Sequence, residues 1–237
     1  TADNEKWALI SAKAVTGFAV SVILSPAEAG IEKVVSPKET PDGRPGVIVQ
    51  IYHSSGHWLK DQLIRRISQC VLTCPTTAAF DALNGQAVKR LKIGSSIRYF
   101  GDGYQRKDTE SFNGKTVWRI PVMEGEFIIE SRFGVKRGVA GGNFLILAEN
   151  KDSGLMAAEK AVEAIEGKVE GATMTFPGGV CRSGSKVGSM KYKLPASTNQ
   201  RYCPLIRDKI PDTQVPENVK SVYEIIINGP VSYTHLT

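Results

Sequence analysis

Glu224 stands inside an apolar run, Ser221 to Asn228 (SVYEIIIN), and a two-residue period puts it on the same strand face as Val222 and Ile226. An ionised carboxylate on a buried face is costly unless it is paired, so the position predicts a raised pKa. Such a group suits two kinds of chemistry: a general acid near neutral pH, or a hydrogen-bond donor to a developing oxyanion. The plainer alternative is a strand face that meets solvent or a lysine.

Four loops are rich in glycine: FGDGYQ (Phe100 to Gln105), GVAGGNF (Gly138 to Phe144), FPGGV (Phe176 to Val180) and SGSKVGS (Ser183 to Ser189). Glycine lets a backbone N–H approach a ligand oxygen closely, and Arg182 and Lys186 could hold a phosphate or carboxylate there. Taken singly, each loop reads first as a plain turn, since none is a G-x-x-x-x-G-K-[ST] loop and no G-x-G-x-x-G follows a strand. His53 and His57 are four residues apart, but they flank a Ser-Ser-Gly turn with no third ligand nearby, so no metal site is expected. Cys70 and Cys74 lie one helical turn apart and read as packing residues. No G-x-S-x-G elbow appears, and nothing indicates a covalent nucleophile.

The elements that must position these residues follow from periodicity. Asn4 to Val15 reads as a helix stopped by Gly17, and Phe18 to Leu24 (FAVSVIL) as an apolar strand ending at Pro26. A strand at Val47 to Tyr52 follows the turn TPDGRPG. A helix from Trp58 to about Thr73 has Leu59, Leu63, Ile67, Cys70 and Val71 on one face and Lys60, Asp61, Arg65 and Arg66 opposite. The layout then repeats: strand Gly142 to Ala148, helix Gly154 to Glu166 with Leu155, Ala158, Val162 and Ile165 apolar, strand Ala172 to Phe176, and strand Ser221 to Asn228. The fold class expected is α+β, two ferredoxin-like β-α-β-β-α-β sandwich lobes with the second incomplete. Val117 to Ser131 is a hairpin between them. The boundaries are 1–128 for the first lobe with the hairpin and 129–230 for the second. The segment 231–237 (VSYTHLT) reads as an adapter-derived tail. The polar stretch Gly178 to Lys220 is an insertion long enough to carry function.

Composition narrows the partners. The chain has 237 residues, 41% apolar and 23% charged, an ordinary globular balance. No run approaches the roughly 18 to 20 apolar residues of a membrane helix, and Asp3, Glu5 and Lys6 replace a signal-peptide core, so a cytoplasmic protein with reduced cysteines is expected. The formal charge of +6 favours anionic partners. The cations are scattered without interleaved aromatics, which fits small anionic ligands better than nucleic acid.

Several strings go further: SPAEAG (Ser25 to Gly30), ETPDGRPGV (Glu39 to Val47), FGDGYQ, EGEFI (Glu124 to Ile128), GVAGGNF, FPGG, SKVGS (Ser185 to Ser189), LPASTN (Leu194 to Asn199) and VYEIIING (Val222 to Gly229). Through them the chain resembles the formylmethanofuran:tetrahydromethanopterin formyltransferase family from about residue 5 to 229. The resemblance implies two packed ferredoxin-like lobes, dimers or tetramers, and a cleft that binds both carriers. It also implies reversible formyl transfer from formylmethanofuran to N5 of tetrahydromethanopterin, with both carriers as coenzyme substrates and no metal or tightly bound cofactor. Glu224 matches the family's proposed catalytic glutamate. Carrier contacts are implied at Gly101, Asp102 and Tyr104, at Gly141 and Asn143, at Gly178, Gly179, Arg182 and Lys186, and at Ser197 and Asn199. Formylmethanofuran hydrolase subunits are an expected partner; nucleic acid and membranes are not. The basic charge argues against the salt activation of acidic family members. Two other readings stay open: a non-catalytic carrier-binding or scaffold subunit, and a nucleic-acid-binding module, which would need exposed aromatics on a sheet face.

Overall fold

The computed structural model describes residues 1–83, 85–182, 192 and 199–230. The chain opens with helix α1 (Glu5–Thr16), where the Asn4 side chain accepts from the Trp7 N–H at 3.1 Å, an N-cap followed by Glu5 in the first turn. Ala8, Ser11, Ala12 and Val15 form its buried face. Strands β1 (Glu28–Val35) and β2 (Gly46–Tyr52) pair antiparallel beneath it, and helix α2 (Gly56–Arg66) continues as a π turn over Ile67–Val71.

Two expectations for this lobe need correction. Phe18 to Leu24 is not a strand: it is a chain of turns in which Phe18 takes φ +48° and Phe18 and Leu24 are about three-quarters exposed. Ser25 closes the turn, its N–H and its hydroxyl both donating to the Ser21 carbonyl at 2.8 and 2.7 Å. The strand after α1 is instead β1, which had no reading of its own. Arg66, assigned to the polar face, is buried. Its guanidinium donates to the carbonyls of Val15 and of Gly17, the latter at 2.9 Å, and so satisfies groups the end of α1 leaves unpaired. Arg66→Met should therefore destabilise the protein by about 2 kcal/mol, the scale of leaving buried carbonyls without a charged donor. Urea unfolding is the check, and an unchanged midpoint would show that water replaces the guanidinium.

The middle of the chain holds more than a connecting hairpin. After β3 (Ala78–Ala79), β4 (Lys89–Leu91), α3 (Gly94–Ile97) and β5 (Arg106–Asp108), strands β6 (Val117–Val122) and β7 (Gly125–Glu130) form the predicted hairpin, then β8 (Phe133–Val135) pairs with β4. The hairpin is the centre of a four-stranded sheet ordered β3-β7-β6-β5. It has its own core of Ile67, Leu91, Ile93, Ile97, Ile120, Phe127 and Ile129. Residue 128 falls inside β7.

The second lobe follows the expected order: β9 (Gly138–Ala148), α4 (Lys151–Ile165), β10 (Thr173–Met174) and β11 (Ser221–Pro230). Its sheet runs β10-β11-β9, all antiparallel, with β11 central. Ala158, Val162 and Ile225 form the core under α4, supported by Ile146, Tyr223 and Ile227. Leu155, expected to face inward, is 43% exposed. Gly154 takes the inward place, because a Cβ there would stand 2.7 Å from the Tyr223 ring and 2.9 Å from Ser221 Oγ. The lobes meet where β1 lies against β10, and a Cβ on Gly30 of SPAEAG would be 2.9 Å from Thr173 Cβ. Among the described residues no helix is long and apolar enough to cross a membrane.

Candidate active site

β11 turns Tyr223, Ile225 and Ile227 toward α4, so its alternation sends Val222, Glu224, Ile226 and Asn228 to the other face of the sheet. Glu224 is only 5% exposed. It is not left without partners: the Asn143 amide of β9 donates to Oε1, and the Asn199 amide donates to Oε2 at 3.3 Å. Both carboxylate oxygens are thus engaged, and each partner arrives from a glycine-rich or insertion segment remote in sequence. Asn199 also lines an open cleft of about 220 Å³ with Gln200, Arg201 and Tyr202.

On the far side of β11 the backbone of Cys181 bridges that of Glu224, N to O at 2.7 and 3.0 Å in the two directions. Burial first, and the neighbouring Glu224 charge and hydrogen bond second, push the Cys181 thiol up to about 11. Only the thiolate alkylates, so Cys181 should react slowly with iodoacetamide at pH 8. Glu224→Gln should speed that reaction, because two of the three influences raising the thiol pKa come from the carboxylate. Mass spectrometry of the Cys181 peptide across pH 7 to 10 reads this, and an unchanged profile would place the thiol away from the carboxylate.

The other carrier-contact candidates separate. Gly141 lies in β9 at φ +81°, and its N–H donates to Asn228 Oδ1 at 2.8 Å. Arg182 follows Cys181 and is exposed. Gly178 and Gly179 both take positive φ, and a Cβ on Gly179 would stand 2.7 Å from Val162 of α4, a packing reason for glycine there. Gly101, Asp102 and Tyr104 belong to a tight turn after α3, where Asp102 takes φ +47° and the Tyr104 N–H donates to the Gly101 carbonyl at 2.8 Å. That turn lies beside β6 and presents Tyr99, Phe100 and Tyr104 to solvent. Lys186 and Ser197 lie outside the described residues, as does the 231–237 tail. His53 Nδ1 accepts from the Ser55 N–H at 2.9 Å, which is turn geometry, and all four cysteines are free thiols. Among the described residues no three His, Cys, Asp or Glu side chains gather as a metal site.

Sequence reasoning missed Asn228, which is fully buried. The signal was present: Asn228 follows Glu224 by four residues on one strand face, a second polar group in an apolar run.

Residues 1–122 match the model of the formylmethanofuran-tetrahydromethanopterin formyltransferase family, and residues 125–235 match the model of that protein's proximal lobe. The chain belongs to this family. The family member from Methanocaldococcus jannaschii is 53% identical over 232 residues, 97% of this chain and 76% of that protein. The Methanopyrus kandleri member is 54% identical over the same shares of the two chains. The solved formyltransferase of Methanosarcina barkeri superposes with a TM-score of 0.89 at 49% identity, covering 97% of this chain and 76% of that one. A formyltransferase/hydrolase complex from Methylorubrum extorquens, solved with methylofuran, contains a chain that superposes at 0.85 with 43% identity, covering 97% and 74%. The formyltransferase from Methanosarcina barkeri and a chain of the Methylorubrum extorquens complex therefore share the two-lobed α+β fold described above.

Proposed function

We propose that this chain is a formylmethanofuran–tetrahydromethanopterin formyltransferase and that Glu224 is its catalytic acid. The activity rests on 53 to 54% identity across 94 to 97% of the chain to proteins of that name. The observation that carries the residue is a carboxylate buried in the central strand and held through both oxygens by Asn143 and Asn199.

The acceptor amine attacks the formamide carbon, a new C–N bond forms, and the former carbonyl oxygen becomes an oxyanion. Collapse breaks the C–N bond to methanofuran, whose amine leaves with a proton while the acceptor nitrogen gives one up. A formamide is a weak electrophile, so positioning and stabilisation of the oxyanion supply most of the catalysis. Glu224 serves as the group that meets the oxyanion and passes the proton. Arg182, at the exposed edge beside Cys181, serves as a contact for the anionic carrier tails, with Asp102 and Tyr104 of the aromatic turn as further carrier contacts.

A two-lobe division near the hairpin, a homo-oligomeric state and cytoplasmic placement complete the reading. So does pairing with hydrolase subunits, supported by the complex to which one solved relative belongs. The test is formyl transfer from formylmethanofuran to tetrahydromethanopterin by the folded protein, followed by the absorbance of the formylated pterin. Carrier binding without transfer would leave a scaffold subunit instead.

A further inference from the structure

Gly138–Val139 and Gly142–Ala148 of β9 pair with β11 in registers that differ by one residue, so Ala140 and Gly141 together oppose the single residue Asn228. This is a glycine bulge, with Gly141 in the left-handed region at φ +81°. A bulge takes its residue out of the ladder, and here Asn228 replaces the lost partner: its Oδ1 accepts the Gly141 N–H at 2.8 Å. The Asn228 Nδ2 is held in turn by Glu28 of the first lobe, 2.6 Å from Oε2, while Glu28 Oε1 accepts the Val22 N–H at 3.2 Å. Glu28 faces Tyr52 across the β1–β2 ladder, and the Tyr52 ring stands 3.1 Å from where a Cβ on Gly138 would be. One end of the first lobe thereby clasps both sides of the bulge.

The consequence reaches the site. Asn143, two residues beyond Gly141, pairs with Ile226 and shares the sheet face of Glu224, to which its amide donates. A one-residue slip would turn Asn143 to the opposite face. We propose that Asn228 and Glu28 are positioning residues for formyl transfer, fixing the β9 bulge across the lobe seam so that Asn143 holds the Glu224 carboxylate in its working orientation. The inference rests on the catalytic reading of Glu224.

The network also dictates its own test. In Asn228→Asp two carboxylates face each other where the amide N–H bridged the seam, and like charges repel there. In Glu28→Gln one acceptor oxygen is left for two donors, so either the Asn228 amide N–H or the Val22 N–H is set against an amide N–H and the clasp loses one of its two bonds. Combining the two substitutions restores one donor and one acceptor across the seam, keeps an acceptor for Gly141 and keeps one negative charge. In the full-length protein each single variant should lose roughly 10- to 100-fold in kcat with little change in KM for either carrier, the scale of a small misplacement of a catalytic group. The double variant should recover most of that loss. In a Glu224→Gln background neither substitution should lower kcat further.

A folded Asn228→Asp or Glu28→Gln protein with wild-type kcat, or losses that multiply with that of Glu224→Gln, would overturn the inference while leaving Glu224 catalytic. Wild-type kcat in Glu224→Gln alone would remove the catalytic reading and this inference with it. If Asn228→Asp does not fold, the milder Glu28→Gln carries the same comparison.

Discussion

Replacing Glu224 with glutamine is expected to lower kcat for formyl transfer by about 100-fold or more, the cost of removing one group that stabilises a developing oxyanion. Glutamine keeps the shape and one acceptor oxygen, so the Asn143 or the Asn199 bond survives and the protein should fold. What it loses is the ability to give and take a proton. KM for both carriers should change little, since the effect belongs to the transition state rather than to the ground-state complex. Steady-state transfer at saturating carriers separates the two parameters. A glutamine variant that turns over at the wild-type rate would relegate Glu224 to a structural role under the insertion.

The largest stability effect is expected far from that site. Truncating Glu130 to alanine should cost about 3 kcal/mol, because removing one member of a buried charge cluster leaves the others uncompensated. Glu130 is 4% exposed at the end of β7 and accepts from Lys115 Nζ at 2.8 Å and from the Asp81 N–H at 3.0 Å. Arg90 lies 3.7 Å from it and 3.4 Å from Asp81 Oδ2, close enough for an ion pair although no N–H is aligned on that oxygen. Lys115 and Arg90 keep part of their hydration, which holds the expected cost to the lower end for buried pairs. The cluster joins β7 to the chain before β4, and packing is already tight there: a Cβ on Gly94 would be 2.2 Å from the Glu130 carbonyl oxygen. At roughly 3 °C of Tm per kcal/mol for a domain of this size, the variant should melt about 10 °C lower. A fall of only a degree or two would mean that water solvates Lys115 and Asp81 without the carboxylate.

Both predictions depend on features of unequal legibility. The helices could be read because apolar residues recur every three or four positions: Ala8, Ala12 and Val15 in α1, and Ala158 and Val162 in α4, are all buried. The second lobe could be read because its strand, helix and strand follow one another with short turns, and Glu224 stood out as a charge in an apolar strand. Phe18 to Leu24 misled for the converse reason. Its composition is that of a strand, but Ser25 and Pro26 fold it back before it can pair, and β1, which carries Glu28, Glu32 and Lys33, takes the place in the sheet. Leu155 misled because a helix face is chosen by what fits against the sheet, and the tight approach to Tyr223 required glycine at position 154.

The presence of the helices with their three- and four-residue apolar spacing, the strand–helix–strand order of the second lobe and the exceptional carboxylate are local properties, written in spacing along the chain, and the sequence by itself determined them. The partners of that carboxylate were decided only by the tertiary structure. Asn143 and Asn199 are 56 residues apart in the chain, and Asn228 lies 200 residues from Glu28, so no window of sequence contains either pair. An asparagine in a loop and one that fixes a catalytic group look alike until the strands are in register. Arg66 follows the same rule: on a helical wheel it is a surface cation, and only the arrival of α1 turns it into a buried donor. Local pattern states which groups must leave water; the fold alone states which distant groups they meet there.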